Sequence, residues 1–373
     1  KGRDDKYIKE RETLYLEKYK YSEEYNYIGL VKDFVIKKDD DMNIFNINLD
    51  TKYIHNGIKC GDKLEYVNDV LKGKVVIVTG GATGIGYACA LAFGMHGCKV
   101  AIMSRRQKVI MEGVEKLRAK GVDAFGTTVD VRDAERCVAA VNECVKHFGR
   151  LDFLVNNAAG NFMVSAEGLT PGGLATVLGI DLQGCFHMSK AVLPHMKVTG
   201  PQTGAVIINI TAFLQDHATP FQGHAAAAKA GIDVLTNTLG VEWAEYGIRT
   251  VGLAPGGIAG TVGGPGGRVF GNDENKAASK SVGSADDIED FGEPTPRRVR
   301  QRGVPAGRWG RVEDISLAAV YMCTDAGGWI TATRLTIDGG SAHRSRGFVE
   351  AKNAIEKKSL EQKAKFSGGV AKL

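Results

Sequence analysis

The sequence predicts an α/β fold built on one doubly wound parallel sheet of about seven strands, with an N-terminal extension and a C-terminal tail. Three observations predict it. From Gly73 onward, short apolar β-branched runs alternate with longer amphipathic segments, the pattern of βαβ units. A glycine-rich segment, TGGATGIG at Thr79–Gly86, sits between the first such run and the first helical segment. The 373 residues suit one large α/β domain with extensions. Parallel crossovers are right-handed, so helices cover both faces of the sheet.

The elements follow in order. Residues 1–70 differ from the rest: eight of the eleven tyrosines lie between Tyr7 and Tyr66. A helix is expected near 5–20, and the charge run KKDDD at 37–41 reads as a turn or loop. The extension is expected to pack on the main domain or on a partner subunit. The main domain spans 73–345, with strands near 74–79, 98–103, 123–129, 151–155, 205–210, 248–253 and 333–338. Helices are expected near 84–96, 107–119, 133–148, 174–197, 222–245 and 312–324. Residues 256–310 break the rhythm with glycine and polar residues after a strand, which marks a lid or a disordered segment. The tail, 346–373, reads as a charged helix to about 366, a flexible SGGV, and the tripeptide Ala371-Lys372-Leu373.

Composition narrows the function. The net charge of +5, from 48 basic and 43 acidic side chains, is too diffuse for a nucleic-acid partner but compatible with an anionic ligand. The seven cysteines are scattered with no C-x-x-C pair, which reads as free thiols in a reducing compartment, with no metal site. No apolar run reaches 18 residues, so no membrane span is expected. An N-terminal targeting signal stays open, because the chain starts with Lys. The terminal A-K-L fits the small-basic-leucine peroxisomal address. A peroxisomal import receptor is therefore an expected partner; if the tripeptide is not read, the location is cytoplasmic.

The glycine segment carries the first chemistry. It follows an apolar strand and opens a helix, the context that makes a glycine pattern meaningful. Gly80 permits a sharp turn, and Gly84 and Gly86 let the backbone approach a pyrophosphate. Thr83 and Ile85 complete the cradle, and the helix N-terminus faces the phosphate with unpaired N–H groups. At the end of the next strand stands Ser104-Arg105-Arg106, with no acid to bind a ribose 2′-hydroxyl. Arg105 suits a 2′-phosphate, so NADPH is the expected cofactor. After the third strand, Asp130 is placed to take the adenine amino group.

TGGATGIG, Asp130, NNAAG at Asn156–Gly160, Lys229 and APGGI at Ala254–Ile258 together resemble the short-chain dehydrogenase/reductase family over about residues 73–345. The resemblance implies a single Rossmann-type domain. It places Asn157, Ala158 and Gly160 along the cofactor, with Pro255, Gly256, Ile258 and Thr261 passing the nicotinamide. The departures are as informative. Most of the family carries Tyr-x-x-x-Lys; here the segment is HAAAAK, with Ala225 at the tyrosine position. The family's serine falls on Ala212 and its helix-borne asparagine on Asp181. A carbonyl reductase needs a phenol to protonate the developing alkoxide, and this chain has none in place.

One branch of the family, which reduces 2,4-dienoyl-CoA thioesters in peroxisomes, shows the same departures. It is similar to this chain at NAAGNF (Asn157–Phe162), at the Asp of IDLQG, at His224 before the alanine run, at Ala254–Thr261 and at the terminal A-K-L. The implied reaction adds hydride to the far end of a conjugated thioester and protonates the resulting dienolate near the carbonyl, giving a 3-enoyl-CoA. Lys229 would hold the nicotinamide ribose, Asp181 would be the acid, directly or through a water, and Asp338 would either complete the proton route or hold structure. Phe162 is expected in the acyl slot, His224 in the pocket wall and Arg268 near a CoA phosphate. The competing expectations are a trans-2-enoyl-CoA or other acyl-CoA reductase and a catalytically degenerate cofactor-binding scaffold. A homo-oligomer, dimer or tetramer, is expected from the apolar helices 174–197 and 222–245.

Overall fold

The computed structural model describes residues 69–216, 219–261 and 304–343, together with the backbone of four strands before residue 67. The helix expected near 5–20, most of the 256–310 segment with Arg268, and the tail with its terminal tripeptide lie outside the described residues. The chain divides into two units, Lys1–Val70 and Leu71–Leu373.

The first unit contains an antiparallel hairpin of β1 (Val31–Asp39) and β2 (Met42–Leu49), with Asp39 opposite Met42. A second antiparallel pair joins β3 (Ile58–Cys60) to β4 (Leu64–Tyr66). The charge run 37–41, expected as a turn or loop, therefore lies partly in β1, through Asp39, and its last two residues lie outside the described residues. Composition explains this: Phe34, Ile36, Ile44, Phe45 and Ile47 supply β-favouring residues on both sides of the charge run.

The second unit is the expected parallel sheet. Its strands are β5 (Val75–Thr79), β6 (Lys99–Ser104), β7 (Ala124–Thr128), β8 (Phe153–Asn156), β9 (Ala205–Ile210), β10 (Ile248–Pro255) and β11 (Thr333–Ile337). They lie in the order β11-β10-β9-β8-β5-β6-β7, all parallel. Val75 to Val78 and Val206 to Ile208 are buried on both faces, which is why these strands read as continuous apolar runs. The strand order reverses between β5 and β8. Ligands of such sheets bind in the crevice that opens there, outside the carboxyl ends of the strands.

Helices α1 (Gly84–Met95), α2 (Gln107–Ala119) and α3 (Ala134–Phe148) follow β5, β6 and β7. Asp133 caps α3 by accepting the N–H of Arg136, and Gly149 ends it in the left-handed region. The segment expected as one helix over 174–197 is three pieces: α4 (Pro171–Leu178), a π-helical turn Gly179–Gln183, and α5 (Gly184–Thr203). Then come α6 (Gly223–Glu242) and α7 (Val312–Cys323). The six cysteines among the described residues are free and buried. Burial pushes the Cys89, Cys144 and Cys185 thiols up to about 12, so they are packing groups and not nucleophiles.

Candidate active site

A cavity of about 1030 Å³ opens at the carboxyl ends of β5, β8, β9 and β10. That volume lies at the upper end of the range usual for small-molecule sites. Gly80, Thr83, Gly84 and Ile85 of the glycine loop line it, with Arg105 and Asp130 on one flank. Gly86 does not line it but packs beneath: a Cβ there would lie 2.3 Å from the Gly80 carbonyl oxygen and 2.5 Å from Asn157 Nδ2. Gly80 has φ +64, which only glycine takes without strain.

The loop is held from below by a side chain that the glycine spacing does not point to. Thr79 Oγ1 accepts the N–H groups of Asn157 (2.9 Å) and Ala158 (3.0 Å) and donates to the Val155 carbonyl. Asn157 Nδ2 donates back to the Thr79 carbonyl at 3.0 Å. The ends of β5 and β8 are thus stitched together across the strand-order reversal. Asn157, Ala158 and Gly160 line the cavity from β8, and Pro255, Gly256, Ile258 and Thr261 line it from β10. Thr261 lies over the glycine loop, its Cγ2 being the nearest atom to a Cβ placed on Gly84. A cradle from which Cβ atoms are excluded, at the start of a helix with no acid in its first turn, fits a dinucleotide pyrophosphate.

Asp130 is already engaged. Arg132 grips its carboxylate through Nε (3.0 Å) and Nη2 (2.5 Å). The Arg132 guanidinium, with lesser help from the charge of Arg105, holds the Asp130 carboxyl below the usual range. Asp130 remains on the cavity wall, but an adenine would meet a shared carboxylate and not a free one.

Ala212 and Ala225 both line the cavity. The positions of the family's serine and tyrosine therefore present only methyl groups to it. Asp181 and Lys229 stand there instead. Lys229, on α6, donates to Asp181 Oδ2 at 3.1 Å and to the Ile210 carbonyl at 3.1 Å. Asp181 Oδ1 accepts the Gly160 N–H at 2.7 Å. Both side chains are almost fully buried (1% and 11% exposed). The Asp181 position is set by the π-turn, whose extra residue widens the helix where it passes the cavity. A second cavity of about 10 Å³, water-sized, lies behind the pair and is bounded by Thr79, Asn156, Cys185 and Ile232.

Three expected residues lie elsewhere than the sequence suggests. Asp338 does not line the cavity; its oxygens accept the N–H groups of Gly340 and Ala342. Its carboxylate is spent on closing the turn after β11, so of the two roles expected for it the geometry is that of structure. Phe162 and His224 also stand behind the lining residues. Their rings stack on each other at 4.4 Å between centroids and 27° between planes. Asn161, Gln222 and Ala225, their chain neighbours, form the wall itself. Asn161 Nδ2 donates to Gln222 Oε1 at 2.7 Å, joining the two segments. Gln222 was not foreseen; a polar residue just before an alanine-rich helix carries no spacing signal.

Comparison with known proteins agrees with this geometry. The family described as short chain dehydrogenase matches residues 74–264. The chain is 39% identical over 278 residues to the peroxisomal 2,4-dienoyl-CoA reductase of Arabidopsis thaliana, named as (3E)-enoyl-CoA-producing, covering 73% of this chain and 85% of that protein. It is 35% identical over 308 residues to the corresponding Saccharomyces cerevisiae protein, covering 81% and 92%. A Bacillus subtilis protein, named for a 2,4-dienoyl-CoA reductase that produces the (2E)-enoyl-CoA, is 36% identical over 271 residues, covering 72% and 97%. Among solved structures, a short chain dehydrogenase from Bacillus anthracis superposes with a TM-score of 0.60 at 32% identity, covering 74% of this chain and 99% of that one.

Proposed function

We propose that this chain, which belongs to the short-chain dehydrogenase family and is thus an oxidoreductase using a nicotinamide dinucleotide, reduces 2,4-dienoyl-CoA thioesters to (3E)-enoyl-CoA with NADPH. The observation that carries this reading is the wall at 212 and 225. Both positions are alanine, while the Asp181–Lys229 ion pair remains at 3.1 Å. A ketone reduced here would leave an alkoxide with no phenol to protonate it. A conjugated thioester makes no such demand. Its negative charge moves to the thioester oxygen, and its proton goes to carbon.

When bound, the dinucleotide supplies a hydride. With a new C–H bond at C5, the C4=C5 pair shifts to C3=C4 and the C2=C3 pair shifts toward C1, leaving the charge on oxygen. A proton then bonds to C2. Lys229 keeps positive charge at the cavity floor, where it stabilises that oxygen, and holds the cofactor ribose. Asp181 takes up a proton and passes it to C2, directly or by way of the water-sized cavity behind the pair. Asp338 holds the turn that presents Ser341 to the cavity. Arg105 selects the 2′-phosphate. Arg268 is proposed to meet a CoA phosphate from its glycine-rich segment.

The names of the relatives support a peroxisomal setting. Four exposed apolar side chains, Phe186 and Val198 on α5 and Val234 and Val241 on α6, support a homo-oligomer. The decisive experiment is NADPH oxidation by the purified chain. Turnover with 2,4-hexadienoyl-CoA and none with acetoacetyl-CoA is expected; the reverse pattern overturns the reading. Analysis of the double-bond position in the product separates the (3E) outcome from the (2E) one.

A further inference from the structure

His224 is among the most deeply buried polar side chains described, with 1% of its surface exposed, and neither ring nitrogen has a hydrogen-bond partner. An imidazole kept in this state loses its hydration without return, which is unfavourable for each orphaned group. A buried group of this kind asks for an explanation. Packing alone is a poor one, because an apolar ring would fill the same space without that cost.

The surroundings suggest what the ring awaits. His224 is the second residue of α6, flanked by Gln222 and Ala225, which both line the large cavity. The Phe162 ring, itself 38% exposed, stacks on one face of the buried imidazole at 4.4 Å between centroids and covers it there. The cover's base is fixed by the Val164 N–H, which donates to the Phe221 carbonyl at 3.0 Å, and by the Asn161–Gln222 bond. Phe221, a non-glycine residue, is held at φ +66. Backbone strain of this sort persists where the surroundings enforce it and gathers at binding sites.

We propose that His224 is a catalytic residue whose ring N–H donates a hydrogen bond to the thioester oxygen, and that the acyl-CoA uncovers it by displacing the Phe162 ring. The proposal rests on the dienoyl-CoA reading above. It adds a directed hydrogen-bond donor to the positive charge that Lys229 supplies in that reading. With Ala212 and Ala225 on the wall, no hydroxyl stands at the family's two positions to bind the developing oxyanion. Removing a donor of this kind typically costs 10²–10³ in kcat.

The test compares His224→Phe and His224→Gln with the wild-type chain, measuring kcat and KM for 2,4-hexadienoyl-CoA and NADPH. His224→Phe keeps the ring stack but has no donor; about a hundredfold loss in kcat with an unchanged NADPH KM is expected. His224→Gln restores an N–H, and recovery to within about tenfold of wild type is expected. Equal kcat in His224→Phe and wild type overturns the proposal while leaving the substrate reading intact. Loss in Thr211→Val with none in His224→Phe overturns it too, moving the donor to the orphaned Thr211 hydroxyl on the cavity wall. A wild-type chain without dienoyl-CoA turnover overturns both readings together.

Discussion

The carboxyl ends of β5 and β9 belong to one sheet but build opposite kinds of wall. At β5 the site is made of backbone. Gly80 turns sharply, Gly86 leaves no room for a Cβ, and Thr79 and Asn157 tie the loop to β8. At β9 the site is made of side chains, and the decisive ones are the oxygens that Ala212 and Ala225 lack. A backbone cradle holds a cofactor common to many reactions. The side-chain wall decides which reaction follows, so it can change while the cradle stays.

The comparison can be broken most severely at Lys229. Lys229→Met should lower turnover by about 10²–10⁴. It should also destabilise the fold by about 3–5 kcal/mol, because Asp181 is left buried without its cation. Steady-state NADPH oxidation and a denaturant melt check both; unchanged turnover would mean that the side-chain wall does not carry the chemistry. Next comes the backbone wall. Gly86→Val drives a side chain into the Gly80 carbonyl, and overpacking of about 3 kcal/mol corresponds to about a hundredfold weaker dinucleotide binding. Fluorescence titration with NADPH reads this, and a dissociation constant within twofold of wild type would contradict it.

Arg105→Ala should weaken NADPH by about tenfold, the worth of a charge-assisted hydrogen bond, and leave NADH almost unchanged. Equal losses for both cofactors would move the 2′-phosphate contact elsewhere. The smallest effect concerns Asp130. Its carboxyl is held low in the folded chain, chiefly by Arg132, so its contribution is fully present above the unfolded value of about 3.9. It is lost as the pH falls through the lower folded value. Asp130→Asn should therefore cost less than about 1 kcal/mol at neutral pH. The difference from wild type should shrink in melts as the pH falls below the unfolded value and through the lower folded one.

The two walls also differ in how far the sequence discloses them. Glycine spacing reports backbone geometry directly, so the cradle at Gly80–Gly86 was legible, as were β5, β6, β8, β9 and β10 from their buried apolar runs. The absence of Ser and Tyr was legible because the flanking motif keeps its spacing to Lys229. Other features depend on partners distant in sequence. Thr79 meets Asn157, and Arg132 claims Asp130 through a side-chain geometry that spacing does not encode. Asp338 turns to its own loop because two N–H groups follow it closely. The hairpin of β1 and β2 hid behind a charge run that reads as a loop although its first three residues belong to β1. The π-turn at 179–183 was hidden for another reason: GIDLQ is as apolar as the helices on either side, and periodicity over 174–197 cannot see one surplus residue.

That surplus residue has a consequence for how such a site is altered. A π-turn is in effect a one-residue insertion in an α-helix. Each residue of an ordinary helix advances the direction of its side chain by about 100°. Losing one residue from Gly179–Gln183 would turn Asp181 out of line with Lys229 while changing no chemistry at any other position. Lineages of this fold can therefore switch the carboxylate in or out by insertion and deletion, a route that comparing substitutions column by column does not register.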